Sequence, residues 1–267
     1  MTTDEETLLH TNVLDRLRLD GRVAAVTGGG QGIGRGFALA LAQAGAAVSV
    51  VDLDGSRAQD VADDITGSGG KAIAITADVL NDDDIKRFID TTIETFGQID
   101  IAVNNAGVNR NSAAEEATLD DWDLHLNLNL RAVFRSCQLQ AHHMLPRGYG
   151  KIINTASMSS LLVPHPQKQA PYNVSKGGVV ALTRSLAAEW ADRGVRVNCI
   201  SPGIVRTALI EESETLRPLV QRWLGDIPAG KLAEVSDLQA AIVFMASSAS
   251  DYMTGHNLVI EGGQSLW

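Results

Sequence analysis

Tyr172 and Lys176 stand four positions apart in the segment YNVSK, and their types and spacing could do acid–base chemistry. On a helix, side chains four positions apart lie on the same face. A lysine ammonium one turn away is expected to lower the pKa of the phenol, so that tyrosine exchanges a proton near neutral pH. Because a Tyr-x-x-x-Lys spacing is common by chance, it indicates a site only together with other motifs.

Ser157 is the hydroxyl that would accompany this pair. It directly follows a predicted strand at 151–156. In α/β sheets, ligands bind beyond the carboxyl ends of the strands, so its side chain is expected at the ligand-binding edge. Taken alone, Ser157 would be an ordinary loop serine.

A glycine-rich turn, GGGQGIG at 28–34, follows the first predicted strand and leads into a helix. Glycines let the backbone turn tightly and approach a pyrophosphate, and the amides at the start of the next helix point at the phosphates. A glycine-rich turn by itself is weak support. Its place between a strand and a helix, in the first βαβ unit, favours dinucleotide binding.

Asp52 is predicted to end the second strand, and Leu53 follows it. An acid at this place accepts hydrogen bonds from both adenosine ribose hydroxyls and repels a 2′-phosphate. Leu53 is not an arginine that could pair with such a phosphate, so NAD is favoured over NADP. The alternative is that Asp52 only caps a turn. Asp78, at the end of the third strand, is expected either to approach the adenine or to act as a cap.

Several motifs in order make the chain, from about Leu17 to Trp267, resemble the short-chain dehydrogenase/reductase family. The matching segments are Thr27–Gly34 (Thr-Gly-x-x-x-Gly-x-Gly), Asn104-Asn105-Ala106-Gly107, Asn129, Ser157, Tyr172 with Lys176, and Ser201-Pro202-Gly203 with Thr207.

The resemblance implies a catalytic tetrad of Asn129, Ser157, Tyr172 and Lys176. Tyr172 would be the base in alcohol oxidation and the acid in carbonyl reduction, while Ser157 orients the substrate oxygen. Lys176 would lower the tyrosine pKa and bind the nicotinamide ribose. Asn129 would bend its helix and hold a water molecule in the proton relay.

Two of these assignments have a neighbour as an alternative. Asn127 lies two positions before Asn129, but the position of Trp122 favours Asn129. Ser157 lies 15 positions before Tyr172, slightly more than the commonest family spacing, and Ser159 would give 13. Ser157 is preferred because it lies immediately at the strand end.

The cofactor is expected to contact the glycine turn, the strand ends and the matched motifs. The predicted residues are Gly28, Gln31, Gly32, Ile33, Gly34, Asp52, Leu53, Asp78, Val79, Asn105, Ala106, Gly107, Tyr172, Lys176, Pro202, Gly203, Ile204 and Thr207. No metal site is predicted, because the histidines His142 and His143 have no cysteine or acid at metal-ligand spacing.

The substrate is predicted to be a sugar alcohol, because the stretch 157–167 is similar to the polyol and ketose reductases of this family. The residues expected to contact it are Asn109, Ser157, Ser159, His165, Gln167 and Tyr172. Polar side chains of this kind suit a polyhydroxylated molecule, whereas steroid or acyl sites are mainly apolar. A hydroxysteroid, ketoacyl or cyclic ketone substrate is the alternative. A non-catalytic nucleotide-sensing module is a further alternative, against which the intact tetrad argues.

Short apolar runs alternate with helical stretches, which predicts a Rossmann-like, doubly wound α/β domain with a seven-stranded parallel sheet. The predicted strands are Arg22–Thr27, Ala46–Val51, Lys71–Thr76, Ile99–Val103, Lys151–Ala156, Val195–Ile200 and Asn257–Ile260. The predicted helices are Phe37–Ala44, Asp82–Phe96, Leu119–Met144, Tyr172–Ala191 and Ser236–Ser247.

Residues 1–15 are expected to form a mobile acidic arm, and 16–267 a single dinucleotide-binding catalytic domain. Within it, about 205–230 interrupts the strand–helix alternation and is interpreted as a substrate lid. Trp223 in this segment would pack over the substrate or anchor the lid.

Composition limits the partners and the compartment. The 267 residues carry a net charge of −10, which disfavours nucleic acid and anionic membranes as partners. With two cysteines, no leader-like start and no long apolar run, we expect a cytoplasmic protein whose partner is a small alcohol or ketone. The family resemblance implies a homodimer or homotetramer, assembled through the two long helices. A terminal Trp267 suggests an additional interface contact.

Overall fold

A parallel sheet forms the centre of the molecule. The computed structural model describes residues 12–214 and 216–266, apart from the side chain of Leu209. Seven strands of this part pair in the order β3-β2-β1-β4-β5-β6-β7. They are β1 (Val23–Thr27), β2 (Ala47–Asp52), β3 (Lys71–Thr76), β4 (Ile101–Asn104), β5 (Gly150–Thr155), β6 (Val195–Pro202) and β7 (Asn257–Ile260). The predicted doubly wound α/β fold is confirmed, and each predicted strand lies within two residues of the observed one.

Helices cover both faces of the sheet. They are α1 (Gly32–Gln43), α2 (Gly55–Gly67), α3 (Asp82–Phe96), α4 (Leu119–Leu126), α5 (Ala132–Met144), α6 (Ala170–Trp190), α7 (Ala208–Glu212), α8 (Val220–Asp226) and α9 (Ser236–Ala246). One apolar core lies between the sheet and α1, α2 and α9, and a second lies under α3, α5 and α6. Because strand side chains alternate between the faces, strands covered on both sides read as continuous apolar runs.

The helix predicted at Leu119–Met144 is interrupted by a π-helical turn, Asn127–Arg131, between α4 and α5. Such turns lie often at functional sites, since the extra residue re-aims the side chains. Here the turn contains the buried Asn129.

The sequence analysis did not predict α2. Ala58, Val61, Ala62 and Ile65 have helical spacing and are all buried. Asp54 caps the first turn by accepting hydrogen bonds from the backbone of Ser56 (3.0 Å) and Arg57 (3.4 Å). Glycines, which are weak helix formers, stand at both ends of this helix, and for that reason the sequence analysis missed it.

The start of the described chain is attached to the domain. A short 3₁₀ turn, Val13–Leu17, is tied to Ser248 by two hydrogen bonds: Arg16 Nη2 donates to its carbonyl and its Oγ donates to the Arg16 carbonyl. The predicted arm boundary at residue 15 falls inside this turn. Residues 1–11 of the predicted arm lie outside the described residues.

The segment interpreted as a lid contains α7 and α8. An apolar cluster of Met158, Ile204, Trp223, Ile227 and Leu232 joins this segment to the domain. Trp223 is only 3% exposed, so in this arrangement it acts as an anchor of the segment. Across 12–214 and 216–266, no helix has the length and apolarity needed to span a membrane.

A buried carboxylate joins the strands at the end of the sheet opposite the site. Asp100 is fully buried, accepts hydrogen bonds from the Val23 amide (2.9 Å) and Gln98 Nε2 (2.6 Å), and pairs with Arg147 (2.6 Å) and Arg22 (3.6 Å). Removing one partner of a buried ion pair leaves an uncompensated charge.

We expect Asp100→Ala to lower the free energy of unfolding by about 1–3 kcal/mol, because the buried Val23 amide loses its acceptor. The cost stays in this range because both guanidiniums are about one-third exposed and Arg147 keeps the Ile99 carbonyl. Asp82→Ala, which breaks exposed pairs with Arg131 and Arg135, should cost about 0–1 kcal/mol. Urea denaturation measures both. Equal losses would contradict this interpretation of Asp100.

Candidate active site

The carboxyl end of β5 and the start of α6 bring Ser157 and Tyr172 together. Their side chains lie close enough that hydrogen bonding by Ser157 lowers the pKa of Tyr172. Ser157 is nearly buried and also accepts a hydrogen bond from the Ser159 amide (3.1 Å) through its Oγ. This capping contact fixes the serine side chain at the strand end.

Ser159, the alternative serine, has another partner. It is buried, and its Oγ accepts a hydrogen bond from Gln169 Nε2 (3.1 Å). The structure therefore pairs Tyr172 with Ser157.

Lys176 is buried beneath the same site. Its ammonium group donates a hydrogen bond to the Thr155 carbonyl (2.7 Å) and lies 5.7 Å from the centre of the Tyr172 ring. Burial lowers the pKa of Lys176 to about 8, because the charged form loses its water.

Tyr172 does not show the expected lowering of its pKa. Loss of water around the phenol raises the pKa of Tyr172, and the hydrogen bond with Ser157 opposes that rise. The sequence argument considered only the charge of Lys176, whereas desolvation is the larger effect in this structure.

Asn129 lies in the π turn and binds the loop after β4. Its Oδ1 accepts from the Val108 amide (2.8 Å), and its Nδ2 donates to the Val108 carbonyl (2.9 Å) and to Ser175 Oγ (3.0 Å). A Cβ on Gly107 would lie 3.0 Å from Asn129 Oδ1 and 3.5 Å from Lys176 Nζ. Asn129 is thus beside the site, whereas the alternative, Asn127, is exposed.

The glycine turn leaves space that any larger residue would fill. Gly28 (φ 61°) and Gly32 (φ 53°) have left-handed backbones, and a Cβ on Gly34 would lie 2.0 Å from the Gly28 carbonyl oxygen. Asn105 Nδ2 donates to the carbonyls of Thr27 (3.2 Å) and Gly28 (3.3 Å). The two matched motifs therefore form one cradle, which fits the pyrophosphate of a dinucleotide.

The segment after β6 completes this cradle. Gly203 donates its amide to the Ile260 carbonyl (2.8 Å), and Ile204 is buried. A Cβ on Gly32 would lie 3.6 Å from Thr207 Cγ2. Pro202, at the end of β6, directly precedes these residues.

Asp52 lies against the glycine turn. Its Oδ2 accepts from the Gly30 amide (2.9 Å), and its Oδ1 accepts from the Asp54 amide (3.0 Å). Leu53 is 70% exposed. The carboxylate of Asp52 thus caps local backbone amides and also lies beside the glycine turn, where the sequence predicts it.

Arg57 is a neighbour of this acid that the sequence analysis missed. Its Nη1 donates to Gln31 Oε1 (2.5 Å), and its guanidinium pairs with Asp54 (3.3 Å). Its place in the undetected helix α2 explains the omission.

Asp78 caps the turn after β3. Its Oδ1 accepts a hydrogen bond from the Leu80 amide (2.9 Å), and its own amide donates to Asp84 Oδ2 (2.9 Å). The adjacent Val79 is nearly buried.

Two of the residues predicted to contact substrate bind α8 instead. Gln167 Oε1 accepts from Trp223 Nε1 (3.0 Å), while His165 lies 3.4 Å from Arg222 and 3.4 Å from Asp226. The residues that contact Gln167 and His165 in this structure belong to the segment interpreted as a lid. The polar pattern of the loop could not show that helix α8 uses these groups.

Gln169 was missed by the sequence analysis, although it connects the remaining polar residues. Its Oε1 accepts from Asn109 Nδ2 (3.0 Å), and its Nε2 donates to Ser159 Oγ (3.1 Å) and Asn173 Oδ1 (2.9 Å). Asn109 and Ser159 therefore share one buried amide. No spacing rule in the sequence marks this residue.

Comparison with known proteins agrees with this geometry. A family model described as enoyl-(acyl carrier protein) reductase matches residues 28–265. A short-chain type dehydrogenase/reductase from Mycobacterium marinum superposes with a TM-score of 0.91 at 40% identity, covering 95% of this chain and 99% of that one. The chain belongs to the short-chain dehydrogenase/reductase family.

Two similar proteins are named for hydroxylated substrates. D-threitol dehydrogenase of Mycolicibacterium smegmatis is 40% identical over 255 residues, 93% of this chain and 95% of the relative. A Burkholderia cenocepacia gluconate 5-dehydrogenase, solved with NADP and tartrate, has a TM-score of 0.89 at 37% identity and covers 96% of this chain and 100% of that one. The chain is accordingly an oxidoreductase of CH–OH groups that uses a nicotinamide cofactor. Within 12–214 and 216–266, no cluster of three or more His, Cys, Asp or Glu residues could hold a metal.

Ser157→Ala should shift the pH dependence of alcohol oxidation. In its predicted role as the base, Tyr172 must be deprotonated during oxidation, so the rate should rise with pH through the tyrosine pKa. Because Ser157 lowers the pKa of Tyr172 in the wild-type protein, its removal should move the normalised rise to higher pH.

Steady-state kinetics between pH 6 and 11 provide the measurement. Ser185→Ala, on the exposed side of α6, serves as control and should leave the profile unchanged. An unchanged Ser157→Ala profile, or one shifted to lower pH, would argue against this pairing.

Proposed function

We propose that this chain is an NAD-dependent dehydrogenase that interconverts a sugar alcohol and a ketose, with Asn129, Ser157, Tyr172 and Lys176 as its catalytic tetrad. The convergence of Ser157, Tyr172 and the buried amine of Lys176 on one site is the observation that carries the proposal.

In the oxidation direction, Tyr172 in its phenolate form takes the proton of the substrate hydroxyl. Ser157 orients that hydroxyl and stabilises the negative charge that develops on its oxygen. In its protonated form, Lys176 favours the phenolate through its positive charge, and Asn129 keeps the loop after β4 in place by binding Val108. In the reduction direction, Tyr172 returns the proton.

The nicotinamide, when bound, accepts or supplies the hydride. The cradle of Gly28, Gly32 and Gly34 would hold the pyrophosphate, with Gln31 and Ile33 beside it. Asn105, Ala106, Gly107 and the segment from Pro202 to Thr207 line the same side of the sheet, and Asp78 with Val79 would border the adenine.

NAD rather than NADP is favoured by the charge beside the glycine turn. Asp52 is an acid at the position expected for the adenosine ribose, and Arg57 is already paired with Asp54 and Gln31. A 2′-phosphate would meet the carboxylate of Asp52 before it could recruit that guanidinium. The gluconate 5-dehydrogenase was solved with NADP, so the cofactor preference of this chain has to be measured directly.

Asp52→Asn removes the charge that repels a 2′-phosphate, so it should raise the ratio of kcat/KM for NADP to that for NAD by about tenfold or more. A tenfold change corresponds to about 1.4 kcal/mol of relative binding free energy. Fluorescence titration of the two reduced cofactors gives the Kd values independently of turnover. Asp60→Asn removes the same charge from the exposed face of α2 and should leave the ratio unchanged. A wild-type preference for NADP would overturn the selection.

A polyhydroxylated substrate is supported by the polar wall of the site and by the D-threitol dehydrogenase relative. Asn109, Ser159 and Asn173 converge on Gln169. Amide and hydroxyl groups held in this way can exchange partners with substrate hydroxyls.

A sugar acid is the second candidate substrate. A cavity of about 390 Å³ in the lid segment is lined by two arginines, Arg206 and Arg217, together with Glu211, Gln221 and apolar side chains. Arg206 is already paired with Glu211 (3.6 Å) and Glu234 (2.9 Å). Arg217 is therefore the guanidinium that would meet a substrate carboxylate. The gluconate 5-dehydrogenase relative supports this candidate.

A substrate panel with NAD tests the function. Tetritols to hexitols should give NADH at rates well above those of cyclic and steroid alcohols, and gluconate tests the sugar acid. Tyr172→Phe should lower turnover about a thousandfold, since general acid–base catalysis contributes 10²–10⁴, while NADH still binds. If only apolar alcohols react, the polyol assignment is wrong, and full activity in Tyr172→Phe would overturn the tetrad.

Assembly and location extend this proposal. Trp122, Phe134 and Val174 are exposed on the α4–α5 segment and on α6, and exposed apolar side chains suit a homodimer or homotetramer. The proposed location is the cytoplasm. Trp267, the other predicted interface residue, lies outside the described residues.

A further inference from the structure

His125 lies beside Tyr172 and has no role in the proposed tetrad. It is the penultimate residue of α4, one turn before Asn129, and it is fully buried. Its imidazole meets the Tyr172 ring nearly perpendicularly, with centroids 6.3 Å apart and an interplanar angle of 80°. This edge-to-face arrangement is a favourable geometry for two aromatic rings.

Both ring nitrogens of His125 are bound to backbone groups. Nδ1 lies 2.6 Å from the Asp121 carbonyl oxygen, and the Arg110 amide lies 3.0 Å from Nε2. A carbonyl can only accept and a backbone N–H can only donate. The imidazole must therefore be neutral, with its proton on Nδ1.

The Arg110 amide belongs to the loop that follows β4. Asn129 binds Val108 in the same loop, and the Arg110 side chain pairs with Asp121 of α4 (3.0 Å). Two side chains one helical turn apart, His125 and Asn129, thus attach this loop to the α4–α5 segment. Asn109 lies between their two attachment points.

We propose that His125 is a positioning residue for Tyr172: it sets the orientation of the tyrosine ring and fixes the loop that carries Asn109 in register with it. The inference rests on the proposed role of Tyr172 as the proton-transfer group. His125 itself transfers no proton in this arrangement, because both nitrogens are engaged by the backbone.

Three substitutions separate the two parts of this role. His125→Phe keeps a ring against Tyr172 and loses the acceptor for the Arg110 amide, whereas His125→Gln keeps an acceptor and loses the ring. His125→Ala loses both. Because small displacements of a reacting group can cost about a hundredfold in rate, we expect kcat to fall about a hundredfold in His125→Ala and about tenfold in the other two variants.

Cofactor binding distinguishes a positioning role from a general loss of structure, because only the latter would weaken NADH binding. The Kd for NADH, measured by fluorescence titration, should stay within about twofold of the wild-type value in all three variants, since His125 touches none of the cofactor cradle. His143→Ala, an exposed histidine on α5, is the matched control and should change neither quantity.

Several results would overturn the proposal. These are a His125→Ala kcat close to wild type, Phe and Gln variants as slow as the Ala variant, or NADH binding that weakens as much as kcat falls. ¹⁵N NMR of the wild-type protein at pH 7.5 should show a neutral His125 protonated on Nδ1, and any other form contradicts the assignment. The NMR result does not depend on turnover, so a failed tetrad, seen as an active Tyr172→Phe, is distinguishable from a failed role of His125.

Discussion

The burial of the Lys176 ammonium group against the Thr155 carbonyl is the contact on which the site depends. Removing a charge from water is costly unless it is hydrogen-bonded, and here a single backbone carbonyl at the end of β5 compensates it. This contact fixes α6 against β5. As a result, Tyr172 on the helix and Ser157 after the strand meet at one point. The same burial that brings them together removes water from the phenol and raises the pKa of Tyr172.

The parallel sheet and the proximity of Tyr172 and Lys176 could be predicted from the sequence because their signals are local. Doubly covered strands require continuous apolar runs, and a glycine is required where a Cβ would meet the backbone, as at Gly34. Tyr172 and Lys176 are one helical turn apart, so their proximity follows from spacing alone. The π turn at Asn129 occupies the position that the resemblance assigned to the helix asparagine.

What the sequence could not show depends on contacts between distant segments. The hydrogen bond of Gln167 joins residues 56 positions apart, and that of Gln169 with Asn109 joins residues 60 positions apart. A polar loop residue has the same appearance in the sequence whether its partner is a substrate or another helix. Desolvation likewise depends on the whole surrounding structure. For this reason, the predicted lowering of the Tyr172 pKa was wrong. Helix α2 was missed for a different reason: its apolar stripe was visible, but glycines stand at both ends.

The hydrogen bond between Trp223 and Gln167 has a consequence for motion. Gln167 is five residues before Tyr172 on a loop whose next residues lead directly into α6. If α8 moves outward to admit or release a molecule, it must break this bond or pull the loop with it. A displacement of α8 is therefore mechanically linked to the segment that leads into Tyr172, so that the position of α8 and the alignment of the phenol change together.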